Sequence, residues 1–257
     1  MNILTLKVGS KYSHEYVNKL FFNLNKNSNT KFNFYCYTED ASKLASGIKV
    51  IPLKNPDEFQ LQWHKLKLHK NDFAGISQGE KCLLLDIDWI VIDDIDEILT
   101  YDLPHNHLGC FERWWSNLRH FCKLNGGFQM FYQGETKYLR DEFLKNPEYW
   151  QHYYHRTGKS PYLHGEQLFI VDHLKQDITF LPKEWFARYG MYKGKSGAAA
   201  NVLLEEQWKE KCDSHNKMID YYGNINEKIK LVHFSGVSNF IEHYDHAPFV
   251  YDNWVDR

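Results

Sequence analysis

The sequence predicts an α/β fold, with a mixed central sheet flanked by helices in a single domain, and three observations support this fold class. The chain opens with a strand pattern at 2–8, which a glycine turn separates from apolar residues at helical spacing. Two short apolar runs, at 82–85 and 89–92, have the composition of strands that are covered on both faces. The chain of 257 residues is long enough to bury one sizeable core.

Strand and helix patterns alternate over the first part of the chain. Apolar residues recur every three to four positions from Tyr16 to Leu24, which predicts an amphipathic helix. Alternating side chains at 31–37 predict a second strand, and 48–53 is a short third candidate. The order strand, glycine turn, helix opens many nucleotide-binding folds.

A second helix is predicted from Asn55 onward. Asn55 suits the N-cap, Pro56 suits the first helical position, and Glu58 could close a capping box. Four apolar residues would form the buried stripe of this helix: Phe59, Trp63, Leu66 and Phe73.

The second part of the chain is less regular. Residues 190–200 are rich in Gly, Ala, Ser and Lys and are expected to form a mobile loop. No internal repeat or long linker is found, so we expect one domain over residues 1–257. Strands are predicted at 107–111, 127–132 and 230–234, and helices at 135–145, at 147–155 and after Gly165.

Composition restricts the compartment and the class of partner. A formal net charge of -2 gives no reason to expect a nucleic acid partner. The five cysteines are scattered and form no C-x-x-C pair, so neither a disulfide framework nor a zinc knuckle is expected. The chain has no signal-peptide pattern and no apolar run near the ~20 residues that a membrane span needs. We therefore expect a cytoplasmic protein without a membrane span.

The most informative segment is 81–99, in which Asp86 and Asp88 follow a wholly apolar strand. In an extended backbone, residues i and i+2 point to the same side, so both carboxylates would converge where α/β folds bind ligands. Such carboxylates repel each other unless a cation lies between them, and hard oxygen ligands favour Mg²⁺ or Mn²⁺. The alternative is that both are polar residues at the start of a turn. Four acids further on are expected to be solvated or to cap the backbone: Asp93, Asp94, Asp96 and Glu97.

These segments resemble the GT-A glycosyltransferases, in particular glycosyltransferase family 8, the glycogenin-like retaining enzymes. The resemblance implies a Rossmann-like nucleotide-diphospho-sugar transferase fold, with a nucleotide-binding half at about 1–100 and an acceptor-binding half at about 101–257. It also implies transfer of a sugar, with a UDP-hexose favoured as donor, to a glycan or other hydroxyl acceptor with retention, and a homodimer is common among similar enzymes. The matching motifs lie in order along the chain at 4–12, 63–66, 84–99, 124–128, 165–167 and 231–236.

The resemblance assigns the nucleotide end of the donor to the first half. The Val8 backbone and the Tyr12 ring would hold the uracil, although Tyr12 could instead pack on the following helix. Lys65, in a lysine-leucine motif, would face the donor. Two neighbouring lysines, Lys67 and Lys70, are expected to be solvated.

The sugar end is assigned to two motifs in the second half. Asn125, with the backbone of Gly126 and Gly127, would orient the donor sugar, because small residues allow close approach and an amide can bind hydroxyls. The alternative for this motif is a Gly-Gly hairpin turn. Gln167 would lie near the reacting sugar carbon, and Glu166 replaces the usual aspartate as the alternative polar participant.

The metal motif and its surroundings complete the resemblance. Asp86 and Asp88 would bind Mn²⁺ or Mg²⁺ together with His233, a ligand through a neutral imidazole nitrogen; Asp86 would also bind the donor. The family's late lysine-proline, which grips the diphosphate, is replaced here by Val-Ser-Asn at 237–239. Three basic residues could supply that charge instead: Arg188, Lys193 and Lys195. Four tryptophans are candidates for the acceptor site: Trp114, Trp115, Trp150 and Trp185.

Two other classes of function compete with a transferase. A metal-dependent sugar-nucleotide hydrolase or nucleotidyltransferase could use the same aspartates, although residues 9–11 are too short for the glycine-rich signature of nucleotidyltransferases. A non-catalytic carbohydrate-binding protein would explain the 17 Tyr, 17 Phe and 8 Trp without needing a metal. Histidines at 105, 107, 243 and 246 are clustered but lie in no known zinc-ligand frame.

Overall fold

The computed structural model describes residues 1–113, 122–155, 165–188, 228–234, 240–244 and 248–255. The chain divides into two units that alternate along the sequence. The single-domain organisation, with its two halves, stays a prediction. Unit 1 consists of Met1–Val17, Lys31–Asp86 and Tyr101–Leu181. Unit 2 consists of Asn18–Thr30, Ile87–Thr100 and Pro182–Arg257.

The described residues form ten strands in two sheets. The strands are β1 (Asn2–Lys7), β2 (Asn33–Thr38), β3 (Lys49–Pro52), β4 (Lys81–Leu85), β5 (Trp89–Val91), β6 (His107–Cys110), β7 (Phe128–Tyr132), β8 (Asp177–Phe180), β9 (Phe186–Arg188) and β10 (Leu231–His233).

Unit 1 contains a mixed sheet of seven strands, in the order β3-β2-β1-β4-β7-β6-β8. Strand β1 pairs in parallel with β2 and β4, whereas β7 runs antiparallel to β4 and β6. The apolar run of β4 fills the central position, and every residue of the strand after Lys81 is buried. The carboxyl end of β4 therefore lies in the middle of the sheet, and Asp86 follows it directly.

The described residues of the two units form six α-helices. They are α1 (His14–Lys26), α2 (Asp96–Leu99), α3 (Lys137–Phe143), α4 (Pro147–His155), α5 (Gly165–His173) and α6 (Pro248–Asn253). Short 3₁₀ helices lie at Pro56–Glu58, Leu61–His69, Phe73–Gly75, Lys183–Trp185 and Ile241–Tyr244.

The prediction of one helix from Asn55 onward is wrong. Asn55 makes no side-chain cap, and Phe59 takes an extended backbone (φ -133°, ψ 157°) that ends the first turn. The amide of Gln60 then donates to the side chain of Gln151 at 2.6 Å instead of continuing a helix. The Glu58 carboxylate pairs with Lys67 at 2.5 Å rather than closing a capping box. Side-chain contacts to a distant segment thus override a good local helix signal.

Aromatic packing fixes the 3₁₀ helix Leu61–His69 in unit 1. Trp63 is fully buried and stacks on Phe143, with ring centroids 5.1 Å apart and planes 15° apart. The ring of Phe169 meets Trp63 edge-on at 5.8 Å. Burial of each such side chain stabilises the fold by roughly 1.5–3 kcal/mol. The predicted stripe is therefore a core stripe, although its backbone is not an α-helix.

Unit 2 contains a three-stranded sheet in the order β5-β10-β9. Strand β10 pairs antiparallel with β5 and parallel with β9, which places Trp89, His233 and Arg188 in register across the sheet. The run at 89–92 is thus an edge strand of a second sheet rather than a central strand. Within unit 2, the Asp96 carboxylate accepts hydrogen bonds from the Ser28 hydroxyl and the Thr30 amide, at 2.7 and 2.9 Å.

The remaining sequence predictions have mixed outcomes. The predicted strands at the start of the chain and helices α1, α3, α4 and α5 are confirmed within one to two residues. Strands β8 and β9 and helix α6 were not predicted. The four cysteines in the described part of the chain are buried free thiols. No helix in the described ranges is long and apolar enough to cross a membrane.

Candidate functional site

Asp86 is fixed by the backbone of two neighbouring strands in unit 1. Its amide donates to the Gly127 carbonyl at 2.9 Å, which continues the antiparallel pairing of β4 with β7 by one residue. The Asp86 side chain is 23% exposed, so the carboxylate faces an opening at the end of the central strand. This is the position at which the apolar run of β4 predicted a ligand-binding carboxylate.

A buried lysine joins Asp86 to the rest of the site. The Lys65 ammonium lies 2.7 Å from Asp86 Oδ2 and 3.5 Å from Glu166 Oε1, and it donates to the Gly126 carbonyl at 3.2 Å. The neighbouring core residues Trp63 and Leu66 are fully buried and hold this part of the 3₁₀ helix in place. Lys65 is therefore a preorganised cation shared by two acids, and its donor-facing role stays a prediction.

The pKa of Glu166 depends on its burial and on two neighbouring charges. The side chain lies in the first turn of α5 and is 2% exposed. Burial raises the pKa of Glu166, because it disfavours the charged form; Lys65 partly offsets this, and the Asp86 charge adds to it. A buried carboxyl beside a shared ammonium is the kind of group that active sites often contain.

The backbone amides of Gly126 and Gly127 both donate hydrogen bonds to side chains. The Gly126 amide donates to Gln167 Oε1 at 3.1 Å, and the Gly127 amide donates to Asn125 Oδ1 at 3.0 Å. A Cβ atom on Gly126 would lie 2.2 Å from the Cγ of Gln167, so any other residue there would require the Gln167 side chain to shift. The structure thus brings together five residues predicted for the sugar end: Asn125, Gly126, Gly127, Glu166 and Gln167.

Asp88 and His233 meet in unit 2. The Phe234 amide donates to the Asp88 carbonyl at 2.9 Å, and His233 Nε2 lies 3.4 Å from Asp88 Oδ1. The His233 ring stacks on Trp89 with centroids 4.2 Å apart and planes 2° apart. Register and stacking together fix the direction of the imidazole. The sequence identified His233, but it did not identify Trp89 as the side chain that orients it.

The three predicted metal ligands form one group. Ligand atoms of Asp86, Asp88 and His233 lie within 4.8 Å of one another. Asp86 ends a segment of unit 1 and Asp88 follows two residues later, so the chain itself limits how far apart the two carboxylates can lie. Two carboxylates and an imidazole are a donor set that suits a divalent cation. The residues present therefore fit the predicted metal.

The base-binding prediction falls on a glycine turn at the end of β1. Gly9 has φ +70° and donates its amide to the Glu39 carboxylate at 2.7 Å. The Tyr12 ring packs against Tyr16 of α1, with centroids 4.7 Å apart, and Lys11 lies 4.4 Å from the Tyr12 centroid. Val8 is partly buried against the core of unit 1. The roles of Val8 and Tyr12 stay predictions, and Glu39 is a polar neighbour that the sequence did not indicate.

Several secondary candidates have other surroundings. Trp150 is partly buried in the core of unit 1 and donates to the Glu142 carbonyl at 3.2 Å, so it holds α3 to α4. His105 lies 2.7 Å from the Glu135 carboxylate, and His107 lies 2.8 Å from the Thr179 hydroxyl. The two histidines thus bind separate partners. Some of the predicted positions lie outside the described residues. These are Trp114, Trp115, Lys193, Lys195, the loop 190–200, residues 237–239 and the side chains of His243 and His246.

Comparison with known proteins gives a result at the level of structure. No protein-family model and no curated protein matches the sequence. A galactosyltransferase LgtC complex with donor and acceptor sugar analogues matches 98% of this chain and 93% of its own, with a TM-score of 0.62 and 15% identity. A second LgtC structure is an active-site mutant with glutamate in place of glutamine. It matches 93% of this chain and 89% of its own, with a TM-score of 0.57 and 12% identity.

A third solved structure supports the same fold. The apo glycosyltransferase GlyE of Streptococcus pneumoniae TIGR4 matches 93% of this chain, with a TM-score of 0.58 and 14% identity, and this chain covers 55% of GlyE. Identities this low show the fold and not the activity. The likeness confirms the predicted α/β fold with its mixed central sheet, and the chain therefore has the GT-A fold of these glycosyltransferases.

Proposed function

We propose that this protein is a metal-dependent glycosyltransferase that moves a sugar from a nucleotide-diphosphate donor to an acceptor hydroxyl. The observation that carries the proposal is the group of Asp86, Asp88 and His233, with ligand atoms within 4.8 Å of one another. A carbohydrate-binding protein would not need such a group. The LgtC complex holds donor and acceptor sugar analogues, which gives the fold a precedent for this chemistry.

The donor set favours Mn²⁺ as the cation. Mg²⁺ takes hard oxygen ligands almost alone, whereas an imidazole in the set suits a softer divalent ion. When bound, the cation would act as a Lewis acid for the departing diphosphate. Arg188, in register with His233 at the end of β9 and 4% exposed, is our candidate for further positive charge there.

The residues of unit 1 would position the donor sugar. Lys65 holds the Asp86 and Glu166 carboxylates in fixed orientations, and the hydrogen bond between Gln167 and Gly126 fixes the start of β7. LgtC has a glutamine in its active site, and Gln167 is our candidate for the same place in this chain. Preorganised groups of this kind stabilise a transition state without reorganising during the reaction.

The proposal also includes a uridine nucleotide as the donor and retention of configuration at the anomeric carbon. The buried Glu166 directly precedes Gln167 in the sequence. Its carboxylate is a poor nucleophile because it forms an ion pair with Lys65 at 3.5 Å. Front-face attack by the acceptor hydroxyl, with Gln167 nearby, would retain the anomeric configuration without a covalent intermediate. Val8 and Tyr12 would hold the base. NMR analysis of the anomeric configuration of the product separates retention from inversion.

A thermal-shift screen with nucleotides tests the proposed function. UDP, GDP and their sugars would each be added with and without Mn²⁺, since a ligand at a hundredfold excess over Kd stabilises the fold by about 2.7 kcal/mol. We expect a shift with a uridine nucleotide that requires Mn²⁺, followed by sugar transfer in an acceptor screen. Donor hydrolysis without transfer to any acceptor would favour the hydrolase. The absence of any nucleotide shift would favour a carbohydrate-binding protein.

A further inference from the structure

A cleft in unit 1 is lined by residues that belong to none of the donor motifs. It has a volume of about 830 Å³, within the range of roughly 300–1,000 Å³ that is usual for small-molecule sites. One wall is the segment Glu58–Gln60 and the other is the first turns of α4 with the preceding Asn146. The donor motifs do not include any of these residues.

A hydrogen bond joins the two walls of the cleft, and others order the α4 wall. The buried Gln151 side chain accepts from the Gln60 amide of the opposite wall at 2.6 Å, and within its own wall it donates to the Pro147 carbonyl at 3.1 Å. Asn146 accepts from the Tyr149 amide at 3.1 Å and caps the start of α4. The cleft is therefore preformed, which lowers the entropic cost of binding a ligand.

An exposed aromatic ring supplies a flat apolar surface in this cleft. Tyr149 is 49% exposed. Its ring stacks on Tyr153, with centroids 5.7 Å apart and planes 21° apart, and meets Trp150 edge-on at 4.9 Å. These neighbours fix the ring and leave part of its surface accessible. A rigid ring of this kind can bind the apolar C–H face of a sugar.

The charge of the cleft selects against anions. Two glutamates, Glu58 and Glu148, are among the described residues that line it, and no lysine or arginine is among them. A nucleotide diphosphate would meet like charge there. A basic peptide is also disfavoured, because the Glu58 carboxylate already pairs with Lys67 at 2.5 Å. Exposed polar side chains of Gln60 and His152 can instead bind neutral hydroxyl groups.

We propose that this cleft, which Tyr149 lines, is a binding site for a neutral saccharide that is separate from the donor site. The choice of a sugar draws on the proposed function as well as on the chemistry of the cleft. Bound there, a saccharide would retain a glycan acceptor on the protein between transfers, since linked sites raise the effective concentration of a second binding event. The site does not need a metal or a nucleotide.

Direct binding tests the proposal with the full chain. Lactose, maltose and cellobiose would be titrated at millimolar concentrations and followed by saturation-transfer NMR and calorimetry. We expect at least one of them to bind, Tyr149→Ala to weaken that binding about tenfold, and Tyr149→Phe to retain it because the ring remains. Tyr251→Ala is the matched control, since Tyr251 is 77% exposed on α6 and lies outside the cleft.

The outcomes separate this proposal from the proposed function. Saccharide binding that depends on Tyr149 and persists without Mn²⁺ supports the cleft, whether or not nucleotides shift the melting temperature. No saccharide binding by the wild type, or equal binding by Tyr149→Ala with an unchanged circular dichroism spectrum, overturns it. Binding of a lysine-rich peptide in place of sugars also overturns it. Loss of the nucleotide shift alone contradicts the transferase and not the cleft.

Discussion

The surroundings of Asp86 and of Asp88 differ in how their charge is balanced. In unit 1, Asp86 lies 2.7 Å from the buried Lys65 ammonium, which also reaches Glu166. In unit 2, Asp88 Oδ1 lies 3.4 Å from His233 Nε2, and imidazole nitrogens are common metal ligands. Asp86 thus has a buried counterion besides its proposed role as a metal ligand, whereas Asp88 lies beside another proposed ligand. We expect substitutions in the two surroundings to have different consequences, on stability in the first and on metal-dependent activity in the second.

The largest effect is expected from Asp88→Asn. The amide keeps the shape of the side chain but removes a charged metal ligand, so the rate of Mn²⁺-dependent transfer should fall about a thousandfold. The melting temperature without metal should stay close to that of the wild type. Asp93→Asn is the matched control, because Asp93 is an exposed acid in the same segment, and it should keep full activity. Wild-type turnover by Asp88→Asn would refute the metal assignment.

Lys65→Met should mainly affect stability. It leaves two acids facing each other at the end of β4 without their shared cation, and breaking a buried ion pair by removing one partner costs about 3 kcal/mol. Urea unfolding at pH 7 measures this loss. Lys67→Met on the same 3₁₀ helix is the control, since Lys67 pairs with the exposed Glu58 and should cost less than about 1 kcal/mol. Equal stability of the two variants would show that Lys65 does not balance the charge of unit 1.

The sequence predicted the parts of this site that depend on short-range order. The apolar run before Asp86 predicted a central strand, which the structure confirms. The predicted extended backbone across Asp86 and Asp88 is wrong, because Ile87 and Asp88 lie in a turn between β4 and β5. The late strand with His233 was identified by its own apolar pattern. Each of these two strands needs only a few consecutive residues, so each could be found without the fold.

The parts that the sequence could not predict depend on contacts between distant residues. The helix signal at Asn55 failed because Gln151, far along the chain, takes the Gln60 amide. The stacking of Trp89 on His233 requires the antiparallel pairing of β5 with β10, which no local pattern reveals. The link between Lys65 and Glu166 likewise joins residues a hundred positions apart. The residues of the candidate site were found in the sequence, but the long-range contacts that hold them in place were not.

The pH dependence of the free energy of unfolding tests whether His69, in the same 3₁₀ helix as Lys65, is buried away from water. Burial lowers the pKa of His69 to about 4, so the folded state keeps the ring neutral, whereas the unfolded chain takes up a proton below about pH 6.5. The free energy of unfolding should therefore fall by about 2–3 kcal/mol as pH drops from about 6.5 to 4. In His69→Phe this part of the pH dependence should disappear. Urea unfolding at several pH values measures it, and an unchanged slope would mean that water reaches His69.

Gly126→Ala should have a smaller effect and tests whether the sugar end is as closely packed as the geometry indicates. The new Cβ atom would lie 2.2 Å from Gln167 Cγ, and such overpacking costs about 2 kcal/mol. Gln167→Ala removes that Cγ atom, so the double variant should recover most of the loss caused by Gly126→Ala. Strictly additive losses in this double-mutant cycle would show that Gln167 has room to move aside. A favourable coupling would instead establish that Gln167 is held against the glycine by the fold itself, as a residue positioned before the donor arrives must be.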